Sequence, residues 1–211
     1  MIGVTTYKLH QYKELLDLTK RCLASIGSQK TSFPFFIVVS DQRTDSKTLE
    51  KLKEFNVEVL HEELDCVSRS WNLLCEKGFK ENQYCLILNN DIELNDGVLE
   101  PLPNFAKNNP RSIITSTEGF DFSAFLISKN IYDAVGPFDE NLKGGALEDW
   151  DYVERMQEKN ISILRCPTFN VQHKRTSTKN HVQANSEIIK LQEESKIYYR
   201  KKWGDGKHKL P

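Results

Sequence analysis

The run Leu86-Ile87-Leu88-Asn89-Asn90-Asp91-Ile92-Glu93 passes abruptly from apolar side chains to amides and carboxylates. A buried strand that ends this way presents hard oxygen ligands in the crevice where α/β sheets bind ligands, and such ligands suit Mg2+ or Mn2+. Asp91 and Glu93 are two apart, so both face one side if the strand persists. The plainer reading is a polar turn that caps a strand. A second cluster is Gly136-Pro137-Phe138-Asp139-Glu140, followed by Glu148-Asp149-Trp150-Asp151 and Arg155. Carboxylates this close at one helix start repel one another, so either something cationic or catalytic uses them or they form a solvated acidic terminus. Asp149 and Asp151 cannot share a helical face. One is expected in a cleft and the other in a supporting role, with Arg155 at i+4 as the partner of Asp151. A third feature is His173 at a strand end, followed by Lys174 and Arg175 in a basic, hydroxyl-rich loop. It offers an imidazole for a metal and cations for phosphates, or else it is a surface histidine beside solvated charges.

The elements that must position these groups alternate along the first half. Apolar, β-rich runs are expected as strands at Ile2–Thr6, Phe35–Val39, Val57–Leu60 and Tyr84–Leu88. Between them lie amphipathic helices. Gln11–Ile26 carries Leu15, Leu18, Cys22 and Ile26 on one stripe; a second follows Asp45 or Ser46 as cap, with Leu49 and Leu52 on its apolar face; Ser68–Lys77 ends at Gly78 as a C-cap. This β-α-β-α-β-α-β order implies a doubly wound, mostly parallel sheet with ligands at the carboxyl ends of its strands. The second half reads as strands at Ile113–Ser116, Phe122–Ile127, Ile161–Leu164 and Phe169–Gln172, helices at Lys129–Val135 and Leu147–Glu158, and a long basic helix at Ser186–Trp203. Gly144-Gly145 marks a loop before the acidic helix, whose first acids suit its dipole. One α/β domain with a helical tail is the expected architecture.

Composition narrows the classes. The 211 residues carry 29 Lys/Arg against 30 Asp/Glu, a net charge of −1 that excludes a globally basic nucleic-acid protein. Residues 174–211 nevertheless hold ten Lys/Arg and four Asp/Glu, a net +6 that directs attention to an anionic ligand nearby. The longest apolar run, Phe33–Val39, contains Pro34 and falls far short of the ~20 residues a bilayer needs. No basic leader precedes an apolar stretch, so neither a signal peptide nor a membrane span is expected. Five cysteines without a Cys-x-x-Cys spacing read as reduced thiols in a cytoplasmic protein, and they give little support to a structural zinc site. Asn160-Ile161-Ser162 is read as a chance sequon.

The order of these features resembles the GT-A nucleotide-sugar glycosyltransferases, specifically the family 2-like group, from Ile2 to about Trp203. Ile37-Val38-Val39-Ser40-Asp41-Gln42-Arg43-Thr44-Asp45 resembles the family's strand-ending "VVDDGSTD" segment. Ser68-Arg69-Ser70-Trp71-Asn72 resembles its "S-x-A-x-N" helix, and Leu88-Asn89-Asn90-Asp91 its "DxD" metal motif with Asn first. Gly136-x-Phe138-Asp139-Glu140 with Glu148-Asp149-x-Asp151-x-x-x-Arg155 matches the acceptor-side signature and is the most specific of the segments. His173 sits where the family often has a late histidine, and Tyr198, Tyr199 and Lys202-Trp203-Gly204 resemble its terminal helix. Two positions depart from the pattern: Ser40 and Asn89 each stand where an acid is usual, which leaves Asp41 and Asp91 to carry those roles. Compact domains of this size also resemble those that large algal viruses encode to glycosylate capsids, which would place the chain in a host cytoplasm.

The resemblance implies a GT-A fold and transfer of a sugar from a nucleoside-diphosphate donor, a UDP-sugar such as UDP-glucose or UDP-rhamnose, to a glycan or glycoprotein hydroxyl. It implies donor contacts from Thr5, Thr6, Tyr7, Asp41, Arg69, Asn72, Asn89, Asn90, Lys174 and Arg175, and Mn2+ or Mg2+ held by Asp91 and His173 with Glu93 as a helper. Asp149 would be the base of an inverting reaction, Glu148 its neighbouring candidate, and Asp139, Asp151 and Arg155 the support. Residues 1–95 would form the nucleotide-binding half, 96–180 the acceptor half and 181–211 a basic tail. A sugar-1-phosphate nucleotidyltransferase is the alternative enzyme, although Thr5-Thr6-Tyr7-Lys8-Leu9-His10 lacks the Gly-rich loop such enzymes use to grip a triphosphate. A non-catalytic sugar-binding module of the same fold is the alternative outside catalysis.

Overall fold

The computed structural model describes residues 1–116, 122–174 and 186–204. The strands are β1 (Ile2–Tyr7), β2 (Ile37–Gln42), β3 (Val57–Glu62), β4 (Tyr84–Asn89), β5 (Ile92–Leu94), β6 (Ser112–Thr115), β7 (Ala124–Ser128), β8 (Ser162–Arg165) and β9 (Val171–His173). The helices are α1 (Lys13–Gly27), α2 (Ser46–Glu50), α3 (Val67–Gly78), α4 (Leu102–Asn108), α5 (Lys129–Val135), α6 (Glu148–Glu158) and α7 (Ser186–Trp203), with a short 3-10 turn at Lys53–Phe55. Seven strands form one sheet in the order β3-β2-β1-β4-β7-β6-β8, and β5 pairs with β9 outside it. Pairing is parallel from β3 through β2 and β1 to β4, and again between β6 and β8, whereas β7 runs antiparallel to β4 and β6.

Alternation along each strand feeds two cores. Leu86 and Leu88 join Ile2, Val4 and the α1 side chains Leu15, Leu18, Cys22 and Ile26, while Cys85 and Ile87 face Trp71, Leu74 and Cys75 of α3 on the other side. α1 and α3 thus cover opposite faces, as in a doubly wound sheet. Gly3 is where α3 comes closest to β1: a Cβ there would lie 2.7 Å from Leu74 Cδ1. All five cysteines are buried and free. Among the described residues, no helix is long and apolar enough to cross a membrane.

Several boundaries differ from expectation for identifiable reasons. β2 starts two residues late and runs on to Gln42, because Phe35 packs on the core from outside the strand while Phe36 only offers its carbonyl to Ile2 N–H at 3.0 Å. Gly78 is no left-handed cap: α3 runs through it and Phe79 closes the helix in a right-handed conformation. A Cβ at Gly78 would sit 3.0 Å from Met1 Cε, so packing keeps it small. Asp45 caps α2, accepting from Thr48 N–H. β5 and α4, too short for a periodic signal, have no counterpart in the sequence reading.

The basic C-terminal helix packs against the rest of the domain. Tyr199 is 2% exposed against Leu142 and Leu147, with Trp150, Tyr198 and Trp203 around them. Lys202 Nζ lies 2.7 Å from both Asp139 and Asp151, Trp203 Nε1–H donates to Asp151 at 2.9 Å, and Tyr198 O–H donates to Asp139 at 2.9 Å. Partial burial alone would raise the Asp139 carboxyl, yet bonds from Lys202, Asn141 and Tyr198 hold it down to about 2. Asp139 therefore contributes stability that is complete above its ordinary value of 3.8 and disappears as pH falls toward about 2. Lys202→Ala is expected to destabilise the fold by about 1.5–3 kcal/mol, the worth of hydrogen bonds to charged groups. It should also flatten the acid loss of stability between pH 4 and 2, and thermal melts of both proteins across that range check this.

Candidate functional site

The strand order reverses at β1, and the carboxyl ends of β1 and β4 diverge around a cavity of about 400 Å³. Of the residues singled out from sequence, Thr5, Thr6, Tyr7, Asn89, Asn90, Asp91, His173, Glu148 and Asp149 all line it. Register explains the first group: Thr5 lies opposite Asn89, and Thr5 O–H donates to the Asn89 amide oxygen at 3.4 Å. The Asn90 amide donates to Thr19 of α1 at 2.9 Å, which fixes the turn after β4.

Asp91 and His173 come together through the small β5–β9 ribbon. Ile92 is in register with His173, and Lys174 N–H donates to the Asp91 carbonyl at 3.2 Å. His173 Nε2 then stands 3.3 Å from Asp91 Oδ1. A carboxylate oxygen and an imidazole nitrogen converging on a cavity match the donor chemistry of a divalent cation that takes its remaining ligands from phosphate and water. No group of three or more His, Cys, Asp or Glu side chains fit to hold a metal occurs among the described residues. Glu93 does not join the pair: it turns to Arg21 at 3.0 Å and leaves the cavity, so the expected shared face with Asp91 is not formed.

Four other expected donor contacts, Asp41, Asn72, Arg69 and Lys174, do not line the cavity. Asp41 is fully buried below the cavity, accepting from Thr6 O–H (2.6 Å), Thr44 O–H (2.6 Å) and Thr44 N–H (3.1 Å), with His61 Nδ1 at 2.9 Å. It aims Thr6 and closes the turn after β2, and it does not reach the cavity wall. Asp65, which directly follows the β3 loop, lines the cavity instead and accepts from Tyr7 O–H at 2.7 Å while pairing with Arg43 at 3.0 Å. Burial, and then Asp65, push the Tyr7 phenol far above its ordinary range. Asn72 is 2% exposed, and its amide clamps the chain after Gly136: it donates to Phe138 O at 2.9 Å and accepts from Phe138 N–H at 2.8 Å. Arg69 pairs with Glu62 at 3.3 Å and Glu140 at 3.6 Å, outside the cavity. Lys174 is exposed and meets the site through its backbone N–H, and Arg175 lies outside the described residues. Asp139, Asp151 and Arg155 serve the α7 anchor and the α6 turn; Arg155 Nε meets Asp151 at 2.9 Å, the i+4 pair that the spacing implies.

The acidic helix start divides as its geometry requires. Leu147, at φ 70°, turns the chain into α6. Asp149 accepts from Trp150 N–H at 2.8 Å and lines the cavity, and Glu148 lies beside it with Oε2 buried and unpartnered among the described residues. Burial, reinforced by the Asp149 charge, pushes the Glu148 carboxyl up to about 8, which favours its protonated form. Gln42, Trp71, Ile188 and Gln192 complete the wall. Asp65 and Gln42 follow strand ends and could have been found from that position; Ile188 and Gln192 arrive by the fold of α7 and leave no local signal.

The family model for glycosyl transferase family 2 matches residues 11–171 of this chain. No curated protein matches it. Solved structures share its fold at low identity. S. aureus TarS 1-349 in complex with UDP-GlcNAc gives a TM-score of 0.64 at 17% identity, covering 90% of this chain and 63% of that one. GalNAc-T7 with UDP, GalNAc and Mn2+ gives 0.65 at 12%, covering 99% and 52%. The mannosyltransferase PcManGT from Pyrobaculum calidifontis, in complex with GDP-Man and Mn2+, gives 0.65 at 8%, covering 86% and 59%. The chain thus spans only part of the structures it resembles, from 35% of full TarS upward. Its sheet is the GT-A arrangement, and the chain belongs to glycosyl transferase family 2.

Proposed function

We propose that the chain transfers a sugar from a nucleoside-diphosphate donor, a UDP-sugar, to a hydroxyl of a glycan or glycoprotein acceptor, with inversion at the anomeric carbon. The observation that carries this reading is one cavity lined both by Asp91 with His173 and, from another element, by Glu148 with Asp149. Mn2+ bound to GalNAc-T7 and PcManGT, and UDP-GlcNAc bound to TarS, support it. Residues 1–95 would carry the donor half and 96–180 the acceptor half. Thr5, Thr6, Tyr7 and Asp65 would take the nucleoside at the ends of β1 and β3, and Asn89 the ribose or donor sugar. When bound, a divalent cation supplies charge neutralisation for the departing diphosphate, and Asp91 and His173 would hold it.

Asp149 would accept the proton of the acceptor hydroxyl as that oxygen attacks the anomeric carbon, while the bond to the diphosphate breaks and its electron pair leaves with the phosphate oxygen. Burial favours the protonated form of Glu148, which keeps a second negative charge away from the donor diphosphate.

Three outcomes are expected. Asp91→Ala should abolish Mn2+-dependent UDP binding in calorimetry, and unchanged binding would overturn the ligand assignment. Asp149→Asn should bind UDP as the wild type does but transfer sugar ~10²-fold or more slowly, as loss of a general base costs. Product NMR showing a retained anomer would exclude this base altogether. Glu148 destabilises the fold as pH rises from its ordinary 4.5 through about 8, where its proton is lost. Glu148→Gln should therefore melt higher than wild type at pH 9 and show no gain at pH 4.

A further inference from the structure

α6 packs on the sheet through Tyr152, Val153 and Met156, but the loop that leads into it belongs to no strand. The chain from Leu142 to Leu147 crosses open ground in left-handed turns, Gly144 at φ 70° and Gly145 at φ 67°, before Leu147 starts α6. α7 grips this stretch at several places. Ser195, 1% exposed, accepts from Lys143 N–H at 2.7 Å and donates to Lys143 O at 3.0 Å, so one hydroxyl satisfies both backbone groups of one residue. One turn earlier, Gln192 Nε2–H donates to Gly144 O at 2.9 Å. Contact is close: a Cβ on Gly144 would lie 3.1 Å from Ile188 O and 3.2 Å from Gln192 N. Leu142 and Leu147, which bracket the loop, belong to the same apolar cluster as Tyr199. From the other side, Gly144 N–H donates to the carbonyl of Asp65, whose side chain lines the donor end.

We propose that α7 is the positioning element for the Glu148–Asp149 pair, acting through the hydrogen bonds of Ser195 and Gln192 to the Lys143–Gly144 backbone, with Ser195 as a positioning residue. Ser195 does not line the cavity, so it cannot act by touching substrate. Gly144 also bridges the two ends of the cleft, because the peptide that α7 holds is the one bonded to the Asp65 carbonyl. The inference rests on the transferase reading for its kinetic consequence, but not for its structural one.

The test compares wild type with Ser195→Ala and Gln192→Glu by steady-state transfer, UDP–Mn2+ calorimetry and amide hydrogen exchange. Ser195→Ala should lower kcat by about tenfold or more, since small misplacements of a reacting group are costly. It should leave UDP affinity within twofold and speed exchange selectively at residues 143–149. Ser195→Thr, which keeps the hydroxyl, should recover most of kcat. An Ala variant with wild-type kcat and wild-type exchange overturns the proposal, as does a UDP affinity that falls in step with kcat. Should Ser195→Ala fail to fold, Gln192→Glu must show the same selective exchange or the proposal falls. A wild-type protein that transfers no sugar sinks the transferase reading alone, and the exchange data then decide this inference independently.

Discussion

Everything in the site depends on β1 having a parallel neighbour on each side. β2 leaves to one side and β4 to the other, with α1 on one face and α3 on the opposite face, so no connection covers the point where they part. Side chains at that opening face a cleft and not the packed core, so polar ones can be used there. Thr5, Thr6, Tyr7, Asn89, Asn90 and Asp91 are those side chains. Their types are what a strand end over a crevice permits, and Gly3 leaves room for Leu74 of α3 against β1.

This is why the first half of the chain was legible. A strand end is marked locally by a change from apolar to polar residues, and the cavity lies where such changes meet. Direction was not legible. Asp41 near the end of β2 and Asp65 in the loop after β3 are both acids near strand ends, yet Asp41 is fully buried under four polar groups while Asp65 faces the cavity. Nothing in either residue's neighbours distinguishes the two; the difference is set by His61 and Thr44 closing around one and Tyr7 and Arg43 lying beside the other. Asn72 departs from expectation for a similar reason. Its motif was recognised, but its amide is spent on the backbone of Phe138, a partner 66 residues away.

The acidic signature of the second half serves two purposes that its sequence shows as one. Glu148 and Asp149 face the cavity, whereas Asp139 and Asp151 bind the cations and aromatic hydrogen-bond donors of α7. The basic excess of the C-terminal segment therefore has an intramolecular destination in Lys202. Burying Asp151 completely is tolerable because Arg155, Lys202 and Trp203 all reach it; an isolated carboxylate there would be driven to its neutral form.

The β5–β9 ribbon has a consequence for how the molecule is made. It consists of two strands of three residues each, a pairing with little stability of its own, and it joins positions roughly eighty residues apart. Contacts of such long loop closure are rewarded late, after the elements on which they rest have formed. During synthesis from the N-terminus, the parallel half of the sheet can collapse while the segment bearing His173 is still inside the ribosome. The Asp91 turn then waits with its carboxylate and no imidazole until the segment bearing His173 emerges and pairs with β5.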